Sequence, residues 1–174
     1  MMAAMLRAML DDRLGEGAVQ IRSSGFGPVD LPPIDDAVDA MRRRGLDVSA
    51  HRSSTTTAVL VDGSDLILTA ERDHVVKIAA MSRSAFRRAM TLSEFLAAAA
   101  AAQGGHDLES DTGADVRSWV ESLTEDRTAS AYLRDAVPEV ADPTGSTPRA
   151  FEVAVSAIEQ QCREVATYLA AHAR

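Results

Sequence analysis

Cysteine occurs once in these 174 residues, at Cys162, and lysine once, at Lys77. A lone cysteine excludes an internal disulfide framework and points to a reducing compartment. The four histidines and the cysteine are scattered, with no metal-ligand spacing, which argues against a zinc site. Basic residues are outnumbered, 18 against 26 acids, for a net charge of −8, so non-specific nucleic-acid binding is disfavoured. No apolar run approaches membrane-spanning length. Arg7, Asp11, Asp12 and Arg13 interrupt the first apolar stretch, which therefore lacks a secretory layout. These absences predict a cytoplasmic protein with no membrane partner and no metal site. Aromatic residues make up only 4% of the chain, and Trp119 and Phe151 read as packing anchors.

The remaining composition is globular: 46% hydrophobic and 25% charged, in a length that supports one domain with a real core. Residues 1–14 place Met2, Met5, Leu6, Met9 and Leu10 on one helical face, and Gly15 and Gly17 end it. VQIRSSG (19–25) reads as a short strand ending in a Ser/Gly loop. IDDAVDAMRRRG (34–45) reads as a helix with acids at its start and arginines at its end, the order the helix dipole favours; RRR (42–44) reads as its solvated end. LDVSAHRSS is a polar loop, and TTTAVLVDG (55–63) a short helix with capping hydroxyls at its entrance.

DLILTA (65–70) followed by ERDHVVKIAAM (71–81) has the form of a buried parallel strand feeding a helix. A weaker strand is predicted over 86–92 and a helix over 93–102 with Ser93 as its N-cap. The stretch from Ala114 to Asp135 reads as helical with a break near Thr124. A long polar loop (137–148) precedes a last helix from Arg149 to His172. Strands alternating with helices predict a three-layer α/β/α architecture with a parallel sheet. Such sheets bind ligands at the carboxyl ends of their strands, here Ser23–Gly27 and Thr69–Arg72, and neither loop is a glycine-rich phosphate cradle.

Four stretches, in order, resemble the low-molecular-weight protein-tyrosine phosphatases: IRSSGFGPVDLPPIDDAVDAMRRRGLDVSAHRSS, DLILTAERDHV, AMTLSEF and VADPTGSTPRAFEVAVSAIE. The resemblance covers nearly the whole chain. It implies a single phosphatase-like domain over residues 1–174 and phosphomonoester hydrolysis through a cysteinyl-phosphate, without a cofactor. Partners would be a phosphorylated protein or a small phosphoester. In that chemistry a thiolate attacks phosphorus, main-chain N–H groups and an arginine hold the phosphate, and an acid protonates the leaving group. Residue by residue, the resemblance puts the general acid on Asp142 of the Asp-Pro loop. It puts the residues that support the phosphate loop on Ser23 and His51. Thr144 and Gly145 stand where the family often carries aromatic residues, so an aryl preference is not implied.

The family's Cys-x5-Arg-Ser-Pro motif stands directly before its first helix, and that helix resembles MMAAMLRAML. The resemblance therefore predicts that the nucleophile, the phosphate loop and the strand before them are absent from this chain, leaving a truncated domain without a nucleophile. It further predicts lowered stability, because an absent inner strand orphans main-chain groups at about 1–3 kcal/mol each. A start placed too far downstream, or a true loss that leaves a non-catalytic binding module, would each give this sequence. A relative of thiol-dependent arsenate reductases is disfavoured, since LTAERDHVVK carries no cysteine.

Overall fold

The computed structural model describes residues 1–103, 115–134, 139–140 and 144–172. The chain divides into two compact units, Met1–Thr56 with Ala141–Ala170, and Thr57–Val140 with Ala171–Arg174.

In the first unit, helix α1 (Met2–Leu14) buries Met5, Leu6 and Leu10, the face its spacing predicts. It stops at Gly15, which adopts φ 97°. The Gly17 N–H then donates to the Asp11 carboxylate at 3.0 Å. Residues 19–24 form no strand. Val19 and Ile21 are half-buried between exposed neighbours, so the alternation of a strand is present. Among the described residues, however, the segment's carbonyls are met by side chains, the Arg7 guanidinium at Ile21 and the Ser54 hydroxyl at Ser23, rather than by a ladder. Pairing begins only at an isolated parallel bridge between Gly25 and Thr55.

Helix α2 (Asp35–Arg42) ends earlier than its sequence pattern suggests. Gly45 at φ 73° closes it, with Gly45 N–H donating to Arg42 and Leu46 N–H to Met41, the paired bonds of a Schellman turn. The RRR stretch is not simply solvated. Arg44, with 13% of its side chain exposed, donates to Glu159 at 2.7 Å, pairs with Glu152 at 2.7 Å, and reaches Ser156 at 3.1 Å. All three acceptors lie on the last helix, α8 (Pro148–His172). That helix buries Phe151, Val155, Ile158, Cys162, Val165, Ala166 and Leu169, an alternation of three- and four-residue steps that makes one apolar stripe.

In the second unit, helix α3 (Ala58–Gly63) is capped by Thr57, whose hydroxyl accepts from Leu60 N–H at 3.3 Å. Strand β1 (Ile67–Thr69) pairs in parallel with β2 (Ala89–Thr91), in the register Ile67 to Ala89 and Thr69 to Thr91. Helix α4 (Arg72–Met81) leads from one strand to the other through a 3-10 turn at Ser84–Arg87. That turn and the buried Arg88 take up the first half of the strand predicted over 86–92. Arg88 donates to the carbonyls of Val61 and Ser64 at the end of α3, where the helix dipole favours a cation.

Helix α5 (Leu92–Gln103) is capped by Thr91 rather than Ser93. Glu94 N–H donates to the Thr91 hydroxyl at 3.2 Å, and the Glu94 carboxylate accepts from Thr91 N–H at 2.8 Å, a reciprocal capping box. Helices α6 (Val116–Ser122) and α7 (Ala129–Arg134) are separated by the break expected near Thr124. Trp119 is buried edge-on to Phe95, with centroids 5.8 Å apart. The architecture is thus α/β with a parallel sheet.

Candidate functional site

Ser23 and His51 lie on two exposed loops of the first unit that are bonded together along their length. The Ser54 hydroxyl donates to the Ser23 carbonyl at 3.0 Å, Gly25 N–H donates to the Ser54 carbonyl, and Thr56 N–H donates to Gly25, each at 2.9 Å. Ser24 and Thr56 share a hydroxyl bond of 2.9 Å. Ser53 continues the seam. Its hydroxyl donates to Pro28 at 2.9 Å and accepts from Leu31 N–H at 3.0 Å, while its main chain pairs with Asp30 and Leu31. This fastening holds Asp30 at φ 60°, a left-handed conformation that asparagine and aspartate tolerate better than most residues.

The structure thus joins the Ser23 and His51 loops through main chain and through hydroxyls of Ser53, Ser54 and Thr56, not through the two predicted side chains. His51 is exposed; its N–H donates to Val48 at 3.0 Å and its carbonyl accepts from Arg52 at 2.7 Å. The density of hydroxyls in HRSSTTT was the available signal for this seam.

Asp142 lies outside the described residues. The chain leading to it is anchored in the second unit at the carboxyl end of β1. Val140 N–H donates to the Ala70 carbonyl, and the Glu139 carboxylate accepts from Arg72 N–H at the start of α4, both at 2.9 Å. The chain leaving it enters α8 through Thr147, whose hydroxyl accepts from Ala150 N–H at 3.3 Å, followed by Pro148 at the first helical position. Arg72 closes the Thr69–Arg72 loop named from the sequence, whereas Glu139 was not singled out, since a carboxylate three positions before an Asp-Pro pair carries no distinctive pattern.

Cys162 is fully buried in the middle of α8. Burial pushes its thiol up to about 12; the Met1 ammonium opposes the shift and Glu159 adds to it. Six residues further on stands Tyr168, so Cys162 does not open a Cys-x5-Arg motif. A surface groove of about 320 Å³ is lined by Val38, Arg42 and Asp47, and another of about 430 Å³ by Ser93, Glu94 and Arg127. Neither takes in Ser23, His51 or Cys162.

The sequence profile of the family described as low molecular weight phosphotyrosine protein phosphatase matches residues 1–127. The chain belongs to this family. Among solved structures, a YwlE mutant from Bacillus subtilis superposes with a TM-score of 0.63 at 21% identity, covering 97% of this chain and 88% of its own. The tyrosine phosphatase Wzb from Escherichia coli K30, in complex with sulphate, gives 0.61 at 21% identity, with 96% and 89% covered. A low molecular weight protein tyrosine phosphatase from T. tengcongensis gives 0.64 at 17% identity, with 94% and 86% covered. At these identities the likeness is one of fold. Comparison with curated protein sequences finds no match.

Proposed function

We propose that these residues form one low-molecular-weight phosphatase-like domain, N-terminally truncated, which does not itself hydrolyse phosphoesters through a cysteine. The observation that carries this reading is the state of Cys162. A phosphoryl-accepting thiol must be exposed and largely ionised near neutral pH. Cys162 is instead fully buried in α8, and that burial pushes its thiol up to about 12, away from the thiolate form. It also projects from a helix interior with no main-chain N–H groups free to cradle a phosphate. In the same reading Asp142 holds the general-acid position, Ser23 and His51 belong to the loops that support a phosphate site, and the substrate class is a phosphoprotein or small phosphoester. One domain is supported by the family match, which runs without interruption from the first unit into the second. A cytoplasmic setting is supported by the unpaired buried thiol.

The test is turnover of para-nitrophenyl phosphate and of a phosphotyrosine peptide by the purified chain. The expected rate equals that of a Cys162→Ser variant, at the buffer background. Turnover that disappears in Cys162→Ser would overturn the proposal.

A further inference from the structure

We propose that the loop from Pro28 to Asp36 is a docking ridge for a basic polypeptide segment that carries aromatic side chains. The ridge would act whether or not the chain hydrolyses phosphoesters. Val29 and Leu31 are each 52% exposed and Ile34 is 46% exposed, and Pro28 and Pro32 beside them are exposed too. Single apolar side chains scattered over a surface are ordinary, but a cluster of them rimmed by polar residues marks an interaction site. The cluster is also held in place. The Ser53 hydroxyl donates to the Pro28 carbonyl and accepts from Leu31 N–H, while Asp30 N–H donates to Ser53 and Ser53 N–H to Leu31. A ridge already fixed in one conformation loses little entropy on binding.

The backbone gives the ridge its shape. Leu31 and Pro32 each precede a proline, which biases them to extended conformations. The two proline rings fix their own φ, and Ile34 sits at φ −67°, ψ 152°, in the polyproline II region. Three residues make one turn of that helix, so Leu31 and Ile34 stand on one face about 9 Å apart. Pro33, between them, is half-buried, as that period requires. Charge then selects the partner. Residues 23–41 hold four aspartates, at 30, 35, 36 and 39, and no lysine or arginine. Asp39 is engaged by Arg42 at 2.8 Å. Asp30, Asp35 and Asp36 are exposed and bracket Leu31 and Ile34 in sequence. An acidic rim steers and registers a cationic partner, and aromatic rings are the surfaces against which polyproline II segments dock. The occupant that fits therefore brings cations to Asp30, Asp35 and Asp36 and two aromatic rings to the Leu31–Ile34 face.

The test is fluorescence anisotropy with a fluorescein-labelled Arg-Trp-Arg-Arg-Trp-Arg peptide and the 174-residue chain at physiological ionic strength. Saturable binding is expected, and about tenfold weaker binding for Arg-Ala-Arg-Arg-Ala-Arg, which keeps the charges and loses the rings. The double variant Leu31→Ser, Ile34→Ser is expected to weaken the tryptophan peptide about tenfold. Val153→Ser, which alters a side chain 65% exposed on α8, is expected to leave binding unchanged. If the double variant does not fold, amide chemical-shift mapping on the unaltered chain decides, with the largest shifts expected within residues 28–36. Absence of saturable binding, equal binding of the alanine peptide, an equal loss in Val153→Ser, or shifts centred elsewhere overturns the proposal.

Discussion

At the scale of single residues, Cys162 links burial to pH. Its folded-state pKa lies above the value of about 8.5 expected in an unfolded chain, pushed up to about 12. The stabilisation it carries is therefore complete below about pH 8.5 and is lost as pH rises through the folded value. Within that window the slope approaches about 1.4 kcal/mol per pH unit. Tyr132, raised by burial and then by the Glu94 carboxylate that accepts its hydroxyl, adds to the loss from about pH 10. Urea melts between pH 8 and 11 are expected to show falling stability, with a shallower fall in Cys162→Ala. Parallel curves would remove the thiol as the cause. Ser54 offers a second residue-scale measurement. Ser54→Ala deletes one hydroxyl bond at an exposed seam and is expected to cost about 0.5–1.5 kcal/mol, with faster amide exchange at Gly25 and Thr56.

At the scale of elements, the Arg44 clasp ties the turn after α2 to α8. Burial alone would lower the Arg44 pKa, but hydrogen bonds to Glu152 and Glu159 outweigh it and raise it. Glu152 is depressed by Arg44 first and Arg43 second. Arg44→Ala is expected to cost about 1–2 kcal/mol, held down by the partial exposure of both carboxylates. Because a depressed carboxylate stabilises above its unfolded pKa and ceases to do so as pH falls through the folded value, the gap between Arg44→Ala and the parent should close below about pH 4. A gap that does not narrow at all as pH falls below the unfolded carboxylate value would assign the clasp to packing rather than charge. Helices were legible where periodicity and a stop signal coincide, as in α1 with Gly15 and in α8. Strand β1 was legible because an apolar run met a polar helix start. The strand predicted over 19–25 does not form, because alternation describes faces and says nothing of whether a neighbour exists to complete a ladder. The Thr91–Glu94 capping box was written in the sequence as T-x-x-E, and Ser93 drew attention away from it. Nothing local announces that Arg88 should be buried. Its reason is the end of α3, more than twenty residues earlier.

At the scale of the whole molecule, the family and its parallel α/β fold were readable from ordered motifs. Ser23 and His51 fall on loops that do meet, but the groups that fasten them are neighbouring hydroxyls and main chain. The family's chemistry needs an exposed thiolate, and the single thiol of these 174 residues is buried in α8. No helix among the described residues is long and apolar enough to cross a membrane.

Trp119, buried against Phe95, is the sole tryptophan and belongs to the second unit. Its emission is consequently a built-in optical gauge of that unit alone, whereas ellipticity at 222 nm sums over helices from both. Chemical melts followed by the two signals should superimpose if the units lose structure together. A red shift that precedes the ellipticity change would rank the second unit as the weaker, with no label added to the protein.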